Sequence, residues 1–312
     1  MSFFYKIIAV ILAAFIYFPF GSIAAYSPVS EDAELVFSVV SDVHMETNNS
    51  DKFNLFGDGI RDINAAKRND AVVFLGDNTM NGQMLEYAAF YGLFDRLSNV
   101  DNVIVASGNH DLCSSNMDPK KFISQTNQFI NFYNAFADED IETPYYSREI
   151  NGYKFIVLAS ELDLGVQEYL SAEQLAWFAD ELEAAEESGK PVFVFNHYPL
   201  SHTWPLVWPL GHVGLESEAL HLLMRRSDNQ IVYFSGHLHM GLNDNKVSTV
   251  KESNITYVNV PAFGADNNIT DADIQNQGMG MYVEVYENEI LIRVRNFAEH
   301  EWMDIEYTVD VL

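Results

Sequence analysis

LVFSVVSDVH, residues 35–44, shows the pattern on which the fold prediction rests: a short apolar run that ends in potential metal ligands. The run is rich in β-branched residues, as buried strands of parallel sheets are. Asp42 and His44 follow it two residues apart, so on an extended chain their side chains share one face. Because ligands in open α/β sheets bind beyond the carboxyl ends of the strands, this stretch predicts a strand that delivers two ligands to one edge.

Four further motifs repeat this arrangement, each at or near the end of a short apolar run. In chain order they are Gly76-Asp77, Gly108-Asn109-His110-Asp111, Asn196-His197 and Gly236-His237-Leu238-His239. Singly they are weak or moderately specific, because an Asp after a strand is usually a cap or turn residue. Five motifs in this order, each following a predicted strand, indicate polar side chains gathered at one rim. Such a set suits a two-metal hydrolytic centre.

Predicted strands and helices alternate along the chain, which is typical of layered α/β proteins. The predicted helices cover residues 53–67, 85–97, 122–136, 171–188 and 216–225. Asn151-Gly152 lies between two β-rich runs and predicts a hairpin. The apolar runs after residue 256 predict a more antiparallel set of strands. With no internal repeat and no linker after residue 31, residues 31–312 are interpreted as a single domain.

The composition limits the classes of partner. A formal net charge of -28 over 312 residues argues against a broad nucleic-acid surface, since neutralising phosphates requires Lys and Arg. It also disfavours docking on anionic lipid headgroups. A hydrophobic content of 48% allows a sizeable core. We therefore expect no nucleic-acid partner, and interpret most of the carboxylates as a solubilising surface.

The first 25 residues are predicted to be a signal peptide, with an uncleaved signal anchor as the alternative. Lys6 supplies the positive start, residues 7–18 the apolar core and residues 21–25 a small-residue cleavage site. Cys113 is the only cysteine, whereas a eukaryotic secreted protein of this size usually has several. The sequence thus predicts an exported, extracytoplasmic and bacterial protein without stable membrane contact after cleavage.

The five motifs resemble those of the calcineurin-like metallophosphoesterase superfamily over about residues 35–240. The matching signature is D-x-H, GD-x4-G, GNHD, a His after a strand, and GHxH. Residues 171–200 also look like the helix and strand that lead to the family's penultimate histidine. The resemblance implies an α/β fold, a four-layer α/β/β/α sandwich with two mixed β-sheets, and a site that holds two metals.

The resemblance also implies which residues bind the two metals. One metal would be held by Asp42, His44, Asp77 and His239. The other would be held by Asp77, Asn109, His197 and His237, with Asp77 as the bridge. Oxygen and imidazole ligands without thiolate suit two divalent or mixed-valence ions of Mn, Fe, Zn or Co.

Two residues outside the ligand set resemble the family's catalytic positions. His110 would donate a proton to the leaving group or stabilise the charge of the transition state. Asp111 would hold that imidazole through its other ring nitrogen, and a simple turn residue is the alternative. Met80 stands where purple acid phosphatases have a metal-binding Tyr, which disfavours that subclass.

These features predict an exported dinuclear phosphoesterase that hydrolyses phosphate mono- or diesters by attack of a metal-bridging hydroxide. Its substrate would be a small molecule or a phosphoprotein. The alternative is a non-catalytic, metal-stabilised binding protein at the cell surface. The Trp/Pro-rich residues 201–214 are interpreted as a loop packed on the domain, or else as a lid over the substrate. His221 is interpreted as a structural residue of its helix.

Overall fold

The computed structural model describes residues 2–19, 21–112, 118–203, 211–240, 249–265 and 277–311. Cys113 and residues 204–210 of the predicted lid lie outside the described residues, and these include Trp204, Pro205, Trp208 and Pro209. The described helices are α1 (Ser2–Ile16), α2 (Ser50–Ile63), α3 (Met84–Leu97), α4 (Asn109–Leu112), α5 (Pro119–Ala137), α6 (Ala172–Glu186) and α7 (Ser217–Arg226).

Two mixed sheets form the centre of the fold. The first contains β1 (Leu35–Val40), β2 (Ala71–Leu75), β3 (Val103–Ala106), β10 (Met279–Val285), β11 (Glu289–Asn296) and β12 (Glu301–Asp310). Its strand order is β12-β11-β10-β1-β2-β3. Strands β1, β2 and β3 are parallel, and the three C-terminal strands add to β1 in antiparallel fashion. Three carboxyl ends therefore meet at one edge of this sheet.

The second sheet contains β4 (Tyr146–Ile150), β5 (Tyr153–Val157), β6 (Val192–Phe195), β7 (Ile231–Ser235), β8 (Thr249–Glu252) and β9 (Ile255–Asn259). Its strand order is β4-β5-β6-β7-β9-β8. Strands β5, β6, β7 and β9 are parallel, whereas the edge strands β4 and β8 pair antiparallel to their neighbours. The predicted Asn151-Gly152 turn connects β4 to β5, with both residues in the left-handed region.

Aromatic side chains join the two sheets face to face. The ring of Phe37 on β1 lies 5.0 Å from that of Phe193 on β6 and 5.2 Å from that of Phe155 on β5. Helices α2, α3 and α5 share an apolar cluster with the first sheet, and α6 and α7 share one with the second. The predicted α/β fold with two mixed sheets is confirmed by this arrangement.

Side-chain caps set the residues at which two of the helices begin. Helix α2 begins at Ser50 because the side chain of Asn49 accepts a hydrogen bond from the backbone N–H of Asp51, at 3.1 Å. It ends at Ile63, four residues before the predicted end. Helix α6 begins where expected, since Ser171 accepts from the N–H of Gln174 at 3.1 Å.

Residues of the predicted signal peptide form α1, which packs on α3 and α5. The side chains of Ala9 and Ala13 are fully buried in this contact. Arg96 of α3 donates hydrogen bonds to the backbone carbonyls of Ala13 and Tyr17, at 2.5 and 2.9 Å. It thereby supplies donors for carbonyls at the C-terminal end of α1 that have no partner within the helix. Within the described ranges, no helix combines the length and the apolarity that crossing a membrane requires. Cleavage of the segment stays a prediction.

Candidate metal centre

The predicted ligands lie in the segments that follow the carboxyl ends of five strands. The first sheet contributes Asp42 and His44 after β1, Asp77 after β2 and Asn109 after β3, and the second contributes His197 after β6 and His237 and His239 after β7. The structure brings the ligand atoms of Asp42, His44 and His239 within 4.8 Å of one another, and does the same for Asp77, His197 and His237. A third group at that spacing joins His44, Asp77 and His110.

Five of the seven predicted ligands have a left-handed backbone. The φ angles are 55° for Asp42, 48° for His44, 50° for Asp77, 66° for His237 and 46° for His239. Residues other than glycine rarely adopt this conformation, and it persists only where surrounding contacts impose it. Two such contacts are the bonds from Asp42 N to Gly76 O, at 3.0 Å, and from His44 N to Asp77 O, at 2.8 Å. The backbone strain is therefore concentrated at the ligands.

The first cluster places two imidazoles against one carboxylate. His239 Nε2 lies 3.1 Å from Asp42 Oδ1 and 3.2 Å from His44 Nε2. Burial lowers the pKa of His44 to about 4, which favours the neutral ring, whose unprotonated nitrogen can act as a ligand. Asp42 is fixed on its other oxygen, because Ser41 Oγ donates to Oδ2 at 2.6 Å.

The second cluster holds buried ligand atoms that make no hydrogen bond. His197 Nδ1 lies 3.0 Å from the Leu75 carbonyl, which fixes the N–H on Nδ1 and leaves the Nε2 lone pair for a metal. Nε2 lies 3.2 Å from Asp77 Oδ2, in a geometry that forms no hydrogen bond. Asn109 Oδ1 is also buried without a hydrogen-bond partner. Buried polar atoms are rarely left unpaired, so these two atoms fit the first coordination shell of a cation.

The electrostatics of the site favour positive charge. Burial opposes ionisation of Asp77, but the imidazoles of His197, His110 and His44 outweigh it and hold the pKa of this carboxyl well below its usual range. Burial likewise opposes the charged form of His197, yet the carboxylate of Asp77 raises the pKa of that imidazole to about 10. Without a metal, a proton therefore occupies the Nε2 position that a cation would take. Asp42 and Asp77 are both buried carboxylates. They therefore require compensating positive charge, which a pair of divalent cations would supply.

A model of the calcineurin-like phosphoesterase family matches residues 35–241. The chain belongs to the calcineurin-like phosphoesterases. This membership supports phosphoesterase activity, and together with the ligand clusters it supports a dinuclear metal centre. None of the curated proteins that were compared matches the chain.

Two solved structures show the same fold. A dimetal phosphatase from Danio rerio is 14% identical, with a TM-score of 0.62, and the match covers 90% of this chain and 100% of that one. Purple acid phosphatase PPD1 from yellow lupin (Lupinus luteus) seeds is 15% identical, with a TM-score of 0.63, over 88% of this chain and 53% of that one. At these identities the similarity establishes the fold alone.

The two predicted catalytic residues of this phosphoesterase, His110 and Asp111, form hydrogen bonds with other groups and not with each other. His110 lies at the rim, with its ring centre 4.7 Å from that of His44, and its Nδ1 lies 2.8 Å from the Met80 carbonyl. The predicted hydrogen bond from the His110 imidazole to Asp111 is therefore not formed. The backbone N–H of His110 instead donates to Asp77 Oδ1, at 2.8 Å, and so positions this carboxylate.

Asp111 is closer to the alternative role, that of a turn residue. Its buried carboxylate accepts five hydrogen bonds: from the backbone N–H of Asn78, Thr79 and Gly108 and from the side chains of Asn78 and Thr79. Burial, with the charge of Asp77, raises the pKa of this carboxyl to about 6. Asp111 thus ties the segment after β3 to the segment that carries Asp77.

The motif glycines make room for ligands from neighbouring strands. A Cβ at Gly108 would lie 2.2 Å from Asp77 Oδ1, and one at Gly236 would lie 2.7 Å from Asp42 Oδ2. Both distances are far below van der Waals contact, so a larger residue would displace the carboxylate. The glycines of GNHD and GHxH are therefore required by close approach to a ligand.

Sequence reasoning missed a buried acid behind the second cluster. Glu168 is fully buried, and its Oε2 accepts a 2.6 Å hydrogen bond from Asn196, the residue before His197. Burial raises the pKa of Glu168 to about 8. It lies in a loop between β5 and α6 with no periodic pattern around it. Asn196, next to the predicted ligand His197, indicates that a buried polar partner is present, but the sequence does not show that this partner is Glu168.

Proposed function

We propose that this phosphoesterase is a metal-dependent hydrolase of phosphate mono- or diesters, and that it acts outside the cytoplasm. One observation carries the catalytic proposal. Asp77 belongs both to the group with His44 and His110 and to the group with His197 and His237, and Asn109 Oδ1 and His197 Nε2 are buried without hydrogen-bond partners. Two bound metals would supply Lewis acidity and a water of lowered pKa. Mn, Fe, Zn and Co all suit this ligand set.

The chain's own residues contribute orientation and a proton. The carbonyl of Met80 accepts from Nδ1 of His110, so in the imidazolium form the second N–H is on Nε2. Because His110 lies at the half-exposed rim beside His44, this N–H can reach the leaving oxygen of a phosphate ester. The backbone N–H of His110 also donates to Asp77, so the residue that would supply the proton also holds the carboxylate that would bind both metals.

The proposal of export rests on the first 25 residues and on cysteine usage. A positive residue, an apolar core and a small-residue stretch follow one another there. The packing of α1 on α3 and α5 favours retention of this segment over its cleavage. N-terminal sequencing of the protein from membrane and soluble fractions of its host tests both points. An intact Met1 in the cytosolic fraction would contradict export.

The catalytic proposal is tested with the full chain, stripped of metal and reloaded with Mn, Fe, Zn or Co in turn. Hydrolysis of bis-p-nitrophenyl phosphate and p-nitrophenyl phosphate is measured side by side, and their ratio separates diester from monoester preference. Asp77→Asn removes the bridging charge. Asp138→Asn is the matched control, because Asp138 has the same left-handed backbone (φ 55°) on an exposed turn outside the centre.

We expect metal-dependent hydrolysis in the wild type and in Asp138→Asn, and loss of it in Asp77→Asn. Hydrolysis that persists in Asp77→Asn would contradict the assignment of the bridge. Two bound metals with no hydrolysis of either ester would favour the non-catalytic binding protein instead.

A further inference from the structure

A second group of metal-ligating side chains lies on the second sheet, apart from the dinuclear centre. Ligand atoms of His202, His221 and Glu252 all lie within 4.8 Å of one another. We call these three residues the surface cluster. They come from three separate segments: His202 from the loop after β6, His221 from α7 and Glu252 from the end of the edge strand β8. Convergence of three segments on one point indicates a site rather than a local turn.

The distances within the surface cluster fit ligands around an ion better than they fit direct hydrogen bonds. His221 Nε2 lies 3.4 Å from Glu252 Oε1, and His202 Nε2 lies 3.8 Å from Glu252 Oε2. N–H···O hydrogen bonds span about 2.7–3.2 Å. Ligands of a tetrahedral zinc ion, at about 2.0–2.1 Å from the metal, lie about 3.3 Å apart. The carboxylate and the imidazoles are therefore spaced to share a cation.

A neighbouring hydroxyl orients one of the imidazoles. His221 is buried, and its Nδ1 lies 2.7 Å from the hydroxyl of Tyr257 on β9. With the N–H on Nδ1 donated to this oxygen, Nε2 presents its lone pair to Glu252 and His202. Outer partners of this kind fix the tautomer and orientation of histidine ligands in metal sites. The ring of His202 completes the group, with its centre 4.6 Å from that of His221.

The surrounding charges do not prevent a cation from binding. Arg225 Nη1 lies 3.9 Å from Glu252 Oε1, but both side chains are 40% exposed or more, and such pairs contribute little. Glu218, on α7 with His221, adds a second negative charge near His202. The strongly acidic chain attracts cations in general.

We propose that His202, His221 and Glu252 bind one further divalent cation of the zinc class. Two imidazoles and one carboxylate, without thiolate, leave a fourth position for water. The bound ion would tie the edge strand β8 and α7 to the loop after β6, in which His202 stands five residues after His197. This inference does not rest on the proposed catalytic activity, because it concerns other ligands.

The experiment counts zinc per chain. The full-length protein is stripped with a chelator, reloaded with Zn²⁺, dialysed and analysed by mass spectrometry of the metal. The test variants are His202→Asn and Glu252→Gln, whose wild-type side chains are 38% and 40% exposed and so can change without loss of the fold. Glu289→Gln, an exposed glutamate at the start of β11, is the matched control.

We expect three zinc ions per chain in the wild type and the control, and two in each test variant. Equal zinc content in all four proteins would overturn the proposal. Failure of the dinuclear centre is distinguishable, because the wild type and control would then hold one ion and the two test variants none. Circular dichroism of each variant verifies that a lost ion does not reflect a lost fold.

Discussion

The dinuclear centre and the surface cluster use the same kinds of side chain on different backbones. In the centre, Asp42, Asp77 and His44 are buried and left-handed, and His237 and His239 are left-handed and partly exposed. In the surface cluster, none of the three residues has a positive φ, and two of the side chains are 38% and 40% exposed. Strained, buried ligands are positioned before a metal arrives, whereas exposed ones must be ordered by it. We therefore expect a chelator to remove the surface ion first.

The largest expected effect comes from placing a side chain at Gly108, beside Asp77, the residue proposed to bind both metals. In Gly108→Ala the new Cβ would meet Asp77 Oδ1 at 2.2 Å and Asp77 N at 2.5 Å, so the carboxylate must move. Because a displacement of 1 Å can cost about 100-fold in rate, we expect hydrolysis to fall by at least that factor. Zinc counting should show losses at the centre and none at the surface cluster.

The control for this variant is Gly165→Ala. Gly165 is left-handed, with a φ of 72°, but a Cβ there meets nothing within 4 Å. Gly165→Ala therefore introduces backbone strain without crowding a ligand. If both variants lost activity equally, crowding at Asp77 would not be the cause.

The next effect separates chemistry from metal binding. His110→Gln removes the imidazole at the rim but keeps the backbone N–H that donates to Asp77. General acid catalysis contributes about 10²–10⁴-fold, so we expect turnover to fall in that range with the zinc content of both regions unchanged. His300→Gln, outside both regions, is the control. A parallel loss of zinc and turnover would mean that His110 is a ligand or a structural residue.

A smaller effect should come from Asp111, whose hydrogen bonds join the two loops that carry Asp77 and Asn109. In Asp111→Asn, an amide NH₂ replaces an oxygen that accepts from the N–H groups of Asn78 and Gly108, so donors face donors. We expect a loss of about 1–3 kcal/mol in the free energy of unfolding, measured in urea. Zinc affinity should fall about 10–100-fold at the centre and stay constant at the surface cluster.

Asp118→Asn is the matched control for Asp111→Asn. Asp118 caps α5 by accepting from the N–H of Lys120, and Asn caps helices as well as Asp does. We therefore expect little change. Asp111→Asn with wild-type stability and zinc affinity would show that its five hydrogen bonds are not needed to hold the loops.

The two regions also differ in how far the sequence predicts them. Asp42, His44 and the other ligands directly follow buried apolar strands, so strand periodicity and chain order suffice to place them at one rim. The surface cluster has no such pattern. His202 follows no strand directly, Glu252 ends a strand that the sequence did not predict, and only their tertiary approach to His221 reveals them.

The same reasoning explains what was missed in the fold. Strand β12 alternates buried Ile305, Tyr307 and Val309 with exposed acidic and polar residues, which is the pattern of a half-buried strand. Its acidic residues lower β-propensity, so burial of one face outweighs local preference there. The partner of His110 was unpredictable for another reason: the carbonyl of Met80 belongs to the backbone, which carries no sequence signal.

The smallest expected effect is a pH dependence that arises behind the centre. The pKa of Glu168 is raised by burial from 4.5 to about 8, so the group is protonated in the fold at pH values where the unfolded chain is ionised. Its contribution to stability is fully present below about pH 4.5 and is lost as the pH rises to about 8. Glu168→Gln cannot ionise, so we expect its free energy of unfolding to decline less than that of the wild type across this window.

The matched control is Glu173→Gln, an exposed glutamate in the first turn of α6. The readout is the slope of unfolding free energy against pH, because a uniform loss of stability does not alter a slope. Gln at position 168 can still accept the hydrogen bond from Asn196, so the segment that carries His197 should keep its position. Equal slopes in the wild type and Glu168→Gln would mean that Glu168 is ionised in the fold. In addition to Asp42 and Asp77, Glu168 would then place a buried negative charge behind the dinuclear centre and strengthen its attraction for cations relative to that of the surface cluster.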